Sequence, residues 1–324
     1  MRYSLLSRFQ GALLGAALGE LQGKDFKEQR SPQPELNAQT GNFSQLAPTD
    51  QPPSSWVDIA LGGAKRLIQD GQLNLANWHN HQLPQQFLGS TGAQSIGLSE
   101  LAIATLPVML FFHEEERKLQ DKLQQVVATL NPQAPQAGVL AVGYAIAQAL
   151  KEKFTPFSLL PQTIGYLQAS QLDVTLPAAS TSTLPLVEQL LQVQTLLEQG
   201  VGLERTLISL LSSEAVPAGD LAIALAFYCC LSTPEDFQLA VLRAARTGYQ
   251  LPITCALTGA LSGAYNSTAG IPVDWRISLD PGREILPLAA QLLATWSGVY
   301  QPTNFSSNAS QVPTVAAPRV IRLR

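Results

Sequence analysis

Two short ladders of small residues constrain this chain more than any other feature. In "GALLGAALG" the residues Gly11, Gly15 and Gly19 recur every four positions, and in "CALTGALSG" Cys255, Gly259 and Gly263 do the same. Residues four apart share one face of an α-helix, so each segment predicts a helix with a bare stripe along which another backbone can approach closely. A glycine inside a helix costs about 1 kcal/mol relative to alanine, so the repetition needs a packing reason. The plainest one is a tight pair of buried helices. A sharper reading adds that such a pair brings two helix ends together at a site.

The remaining periodicity agrees with a helical chain. Nearly every patterned segment has helical spacing, and convincing alternating strands are absent. Helices are expected near 4–22, 56–70, 98–113, 116–129, 135–152, 158–170, 184–198, 203–211, 215–231, 234–247, 252–266 and 282–297. The expected fold class is therefore all-α. Between these segments lie a long polar connector over 24–55, the Ser/Thr-rich "LPAASTSTLP", and "QPTNFSSNASQVPTVAAP" before the end. Apolar helices flank every connector and no composition shift marks a boundary. Residues 1–300 are expected to form one domain, with 301–324 a flexible C-terminal tail.

Composition narrows the function classes. The net charge of −4 gives no general attraction to a phosphate backbone, so nucleic acid is not an expected partner. The one basic cluster, Arg319, Arg322 and Arg324, sits at the extreme C-terminus and reads as a solvated end. Apolar runs such as "LAIATLPVMLFF" and "LAIALAFYCCL" fall short of the roughly 18 residues that suggest a membrane span, so they read as buried helices and no membrane is expected. Arg2 and Arg8 precede an apolar stretch as in a secretory leader, but glycines punctuate it and it runs into Glu20 without a clear cleavage site. Cys229, Cys230 and Cys255 lie in apolar runs as small core residues, and no CxxC pair suggests zinc. A reducing, cytoplasmic location fits them best.

Few residues suggest catalysis by themselves. His79 and His81 in "NWHNH" cannot share a helix face and read as a surface loop. His113 opens a charged run and is expected at an exposed helix end. The stretch "GSTGAQSIGLSE" lacks the lysine of a phosphate loop, so Ser95 or Ser99 is expected to cap a helix. Thr233 before "PED" reads as the cap of the following helix, with proline in the first turn.

Several segments, in order, resemble the ADP-ribosylglycohydrolase family. "SRFQGALLGAALGELQG" resembles its opening helix, Arg-x-x-Gly-Ala-Leu-Leu-Gly-x-Ala-x-Gly-Asp-Ala-Leu-Gly. "VDIALGGAKRLIQDG" is similar to its second helix, and "VPAGDLAIALAFYCCLSTPEDFQLAVLRAARTG" to the helix pair before "ALTGALSGAYNSTAGIPVDW", which resembles its late helix. The likeness covers most of residues 7–298. It implies a compact all-α fold, removal of ADP-ribose from modified proteins or small products, and two magnesium ions held by Thr-Asp-Asp-Thr and Gly-Gly-Asp-x-Asp-Thr at two helix entrances. Such motifs suit Mg²⁺, which takes hard oxygen ligands in near-octahedral geometry.

Carried over without gaps, the first motif falls on Ser54, Ser55, Trp56 and Val57, and the second on Gly248, Tyr249, Gln250, Leu251, Pro252 and Ile253. Ser55, Trp56, Gln250 and Pro252 thus occupy the aspartate positions, and none is a carboxylate. No metal and no cofactor is expected. Asp58 would enter the first motif only if the register slipped, and a one-residue slip turns a helix face by about 100°. Glu20 stands for the aspartate of Gly-Asp-Ala-Leu-Gly, and Ser99 for the asparagine of the Gly-Asn-Gly stretch. The resemblance therefore implies a metal-deficient protein with a binding or regulatory role, whose cleft of Glu20, Ser54, Ser55, Ser99 and Gln250 takes an ADP-ribose-like small molecule or a partner protein. Two alternatives stand beside it. One is a metal-independent hydrolase of ADP-ribosylated protein or a related glycoside, with Glu20, Asp58 or Glu28 as acid or base. The other is a structural scaffold that binds another chain.

Overall fold

The computed structural model describes residues 3–30, 55–75, 97–172, 185–212, 217–278 and 282–299. Among these residues there are fourteen α-helices and no strand, so the fold class is all-α as expected. In chain order they are α1 (Leu5–Arg30), α2 (Ser55–Asp70), α3 (Leu98–Ala104), α4 (Leu106–Phe111), α5 (Glu116–Leu130), α6 (Ala137–Leu150) and α7 (Pro156–Leu172). Then follow α8 (Pro185–Glu198), α9 (Leu203–Leu211), α10 (Ala218–Ser232), α11 (Phe237–Arg246), α12 (Leu251–Asn266), α13 (Val273–Ser278) and α14 (Gly282–Trp296). No helix of the described residues is long and apolar enough to cross a membrane.

Two kinds of helix build the molecule. Helices such as α5 are amphipathic, with Leu119, Leu123, Val126 and Val127 inward at helical spacing and polar side chains outward. By contrast α6 is buried along its whole length, α10 from Asp220 to Leu231, and α12 at nearly every position. A helix apolar on all sides must be surrounded, and α12 is: α1, α3, α6, α10 and α11 all pack against it. Cys229, Cys230 and Cys255 are free thiols inside this core, and burial pushes the first two up to about 12.

The two ladders meet as the pair they predict. Antiparallel α1 and α12 set Gly11 against Gly263, Gly15 against Gly259, Gly19 against Cys255, and Gly23 against Leu251. A Cβ on Gly259 would sit 2.0 Å from the Gly15 carbonyl oxygen, and one on Gly15 would sit 2.2 Å from that of Gly259. At these glycines no side chain fits without parting the helices. The close approach brings Cα–H groups onto facing carbonyls and gains dispersion along four turns, which offsets the helical cost of the glycines.

Four expectations need correction. Helix α1 runs on to Arg30, because Gly23 serves the seam and does not stop the helix, so 24–30 are not part of a loop. The segment 98–113 breaks at Thr105, since Pro107 lacks the N–H that would continue the ladder, and the Thr105 hydroxyl donates back to the Leu101 and Ala102 carbonyls. His113 is not exposed but only 4% accessible, wedged between Phe9 and Trp296, and burial lowers it to about 4. The cap of α11 is Asp236, which accepts from the Leu239 N–H at 2.9 Å, whereas the Thr233 hydroxyl donates to Cys229 O at the end of α10. His79, His81, Ser95, residues 176–184 of "LPAASTSTLP" and the 301–324 tail lie outside the described residues.

Candidate functional site

The chain turns sharply between α11 and α12, and local chemistry fixes that turn. Gly248 takes φ +71°, and Gln250 sits in the left-handed region at φ 38°, ψ 50°. A non-glycine residue there stores on the order of 1 kcal/mol of strain. Four bonds hold it: the Thr247 hydroxyl accepts from the Tyr249 N–H at 3.2 Å, the Thr254 hydroxyl donates to Tyr249 O at 2.8 Å, and Gln250 O accepts both the Ile253 and Thr254 N–H groups at 3.0 Å. Pro252 sits in the first turn of α12, where its missing N–H costs nothing.

Two other helix starts meet this turn. The Ser99 hydroxyl, buried on α3, donates to Gln250 Oε1 at 2.9 Å. The Tyr249 hydroxyl donates to the Ala218 carbonyl at 3.1 Å, tying the turn to the first residue of α10. Gly219 then packs its backbone on α3, so that a Cβ there would lie 2.7 Å from Leu98 Cβ and 3.1 Å from Ser99 N. The three ties close a triangle of residues 98–99, 218–219 and 249–250, with the starts of α3, α10 and α12 at its corners.

Asp220 follows in the first turn of α10. It is only 3% accessible, its Oδ1 has no hydrogen-bond partner, and burial raises its carboxyl to about 6. A buried carboxylate without a donor is a costly arrangement and a marker of function. The sequence reading passed over it, although a lone acidic residue in the apolar run "AGDLAIALAFYCCL" is a legible signal.

The expected site residues separate. Ser99 and Gln250 come together, from positions 151 apart in the chain. Ser99 does not act as a helix cap; Gly97 holds that place, without a side-chain bond. Glu20 is buried on α1, between Gly19 and Gly23, which face Cys255 and Leu251, and pairs with Lys24 at 2.8 Å. It therefore lies alongside the first turn of α12, and α12 carries the bare stripe that lets α1 approach. Asp58 is exposed in the first turn of α2, and Glu28 is exposed on α1. Ser54 and the Ser55 side chain lie outside the described residues.

The donor chemistry at the two motif positions can be compared with what two magnesium ions demand. Trp56 belongs to the inward stripe of α2 with Ile59, Ala60, Ala64, Leu67 and Ile68, and its Nε1 is sealed without a partner. Pro252 has no side-chain oxygen, and Gln250 offers only a neutral amide oxygen that already accepts from Ser99. Two adjacent divalent cations repel each other and need anionic oxygens to leave water. These residues do not fit them. Among the described residues no three His, Cys, Asp or Glu side chains cluster as a metal would need.

Comparison with known proteins agrees with this architecture. The family model described as ADP-ribosylglycohydrolase matches residues 1–302. A solved structure titled "ADP-ribosylglycohydrolase-related protein complex" matches with a TM-score of 0.59 and 17% identity, over 90% of this chain and 99% of that one. At that identity the likeness speaks for the fold alone. No curated protein matches the chain.

Proposed function

The chain belongs to the ADP-ribosylglycohydrolase family, and from that premise we propose that it binds an ADP-ribose-like ligand without a dimagnesium centre and without hydrolysing it. The observation that carries this reading is the entrance of α12. There the position of a metal-binding aspartate is taken by Gln250, held in a left-handed turn and bonded to Ser99, and the next ligand position by Pro252. A turn built this way keeps the helix starts in place while offering hydroxyl and amide groups in place of carboxylates. Trp56, turned into the core at the start of α2, supports the same reading from the other motif.

A metal-independent hydrolase would need a carboxylate free to move a proton to the leaving group. Glu20 is engaged by Lys24, and Asp58 and Glu28 face solvent, which favours binding over catalysis. A cytoplasmic location is part of the proposal, supported by the three free and buried cysteines.

Isothermal calorimetry tests the proposal. The full chain titrated with ADP-ribose is expected to bind equally well with and without millimolar magnesium, and to leave ADP-ribosylated protein intact. Tight binding of two magnesium ions per chain, or release of ADP-ribose that Glu20→Gln abolishes, would overturn it.

A further inference from the structure

Helix α7 is half buried, yet its outer face has the composition of an inner one. Inward it sets Leu159, Leu160, Ile164 and Leu167 at helical spacing, and it packs against α6 and α8. On their outer faces α2 and α5 turn Asp58, Lys65, Arg117 and Asp121 to water, whereas α7 has no charged residue in 17 positions. Its exposed row is Phe157, Pro161, Gly165 and Ala169, four apart and therefore one ridge of the helix. Phe157 is 97% accessible, the most of any large apolar side chain among the described residues. A Cβ on Gly165 would meet nothing within 4 Å, so the ridge has a bare gap there.

A knob and a gap on one ridge suit a second copy of the same ridge. Rows of residues four apart interdigitate when two helices cross at about −50°. Phe157 and Gly165 stand four residues to either side of Pro161, about 12 Å from each other along the helix. A two-fold axis set at Pro161, perpendicular to the row, reverses the row of the second copy. Each Phe157 then falls over the Gly165 gap of the other copy, the reciprocity that an isologous interface requires. Charge points the same way. Each copy carries a net −4, so two copies repel on average, and this face brings no charged side chain of α7 into contact. A charged partner would find nothing on the ridge to pair with.

We propose that α7 is the interface of a two-fold dimer of this chain, in which each Phe157 docks over Gly165 of the second copy. An aromatic anchor on a face depleted of charge is the composition of an interface core. The row from Phe157 to Ala169 is about 18 Å long, and one helix face of that length covers less than the roughly 800 Å² per partner of a standard complex. The dimer is therefore weak, with dissociation in the micromolar range. It is independent of the ADP-ribose reading, since the row shares no residue with the triangle.

Sedimentation equilibrium of the full chain, from about 1 to about 200 μM, tests the interface. The wild type should pass from monomer to dimer across that range. Phe157→Gln removes the knob and Gly165→Gln fills the gap, so each homodimer loses both contacts and should weaken at least about tenfold. Gly165→Gln should also raise the melting temperature of the monomer, because a helical glycine is replaced in open space. A residue that served only the fold of α7 would not join that gain to lost association. A mixture of the two variants keeps one intact contact in each mixed dimer and should associate better than either variant alone. A wild type that stays monomeric at the highest concentration would leave the face to another chain and overturn the proposal. So would a dimer indifferent to both variants, or a mixture that associates no better than its parts.

Discussion

The seam between α1 and α12 and the triangle at the start of α12 share a helix and differ in almost everything else. Along the seam each glycine faces backbone at a distance that admits no Cβ, and Cys255 in the same row is fully buried. At the triangle, a few residues away, the backbone is strained at Gln250, hydroxyls are left with unused acceptors, and the Asp220 carboxylate lacks a donor. One region is finished by its own contacts and the other leaves polar groups unsatisfied. Dense packing and unsatisfied polarity thus adjoin at α12, and energetic tests should separate them.

The largest effect is expected in the seam. Gly259→Val places branched carbon against the Gly15 carbonyl, where even a Cβ would lie 2.0 Å away. Neither backbone can yield without parting α1 from α12, so the loss of stability should exceed about 3 kcal/mol by chemical denaturation. A loss under about 1 kcal/mol would mean that the seam adjusts, and the contrast with the triangle would weaken.

The next effect belongs to Asp220 and carries a pH signature. Its folded value of about 6 lies above the ordinary 3.8, so the folded chain holds this proton more firmly than the unfolded chain does. Stability from this group is fully present below about pH 4 and is lost as pH rises through about 6. The difference corresponds to on the order of 3 kcal/mol. Asp220→Asn should flatten that fall between pH 4 and 7 in urea unfolding of the unliganded chain. An unchanged pH profile would show that the carboxyl finds a partner in solution.

The smallest effect is at the turn. Gln250→Gly relieves the left-handed backbone, and stability should rise by up to about 1 kcal/mol because glycine adopts φ 38° without a Cβ clash. The same change removes the acceptor of Ser99, so ADP-ribose binding should weaken even as the melting temperature rises. A parallel gain in both would place Gln250 outside the site.

Much of the fold was legible in the sequence. Boundaries such as 203–211 and 282–296 agree closely with the expected 203–211 and 282–297, because each segment has its own inward stripe and stop signals. What was misread depended on partners. His113 looked like a charged helix end because "HEEERK" follows it, whereas Phe9 and Trp296 enclose it from segments far away in the chain. The first helix was expected to end near 22, and α12 uses Gly23 just beyond as a contact. The short helix α13 lacked enough turns to show a period.

The candidate site was legible in a different way. Counting along the motifs located Ser99 and Gln250, and the structure joins them at 2.9 Å. Asp220 was missed because no carried-over motif pointed to it, and the cost of its position arises only from the helices packed around it. Tyr249 was placed by the motif but valued only as a replaced position, since its hydroxyl bond to Ala218 crosses 31 residues.

The sequence by itself determined that this chain is helical, that two bare stripes must find each other, and which residue types stand at the family's metal positions. Those properties are local, being set by spacing four apart along a helix and by side-chain chemistry. Only the tertiary structure decided that three helix starts converge, that Trp56 turns inward while Asp58 turns out, and that Asp220 is sealed without a donor. Burial and the pairing of polar groups belong to contacts between distant segments, and these exist only once the chain has closed on itself.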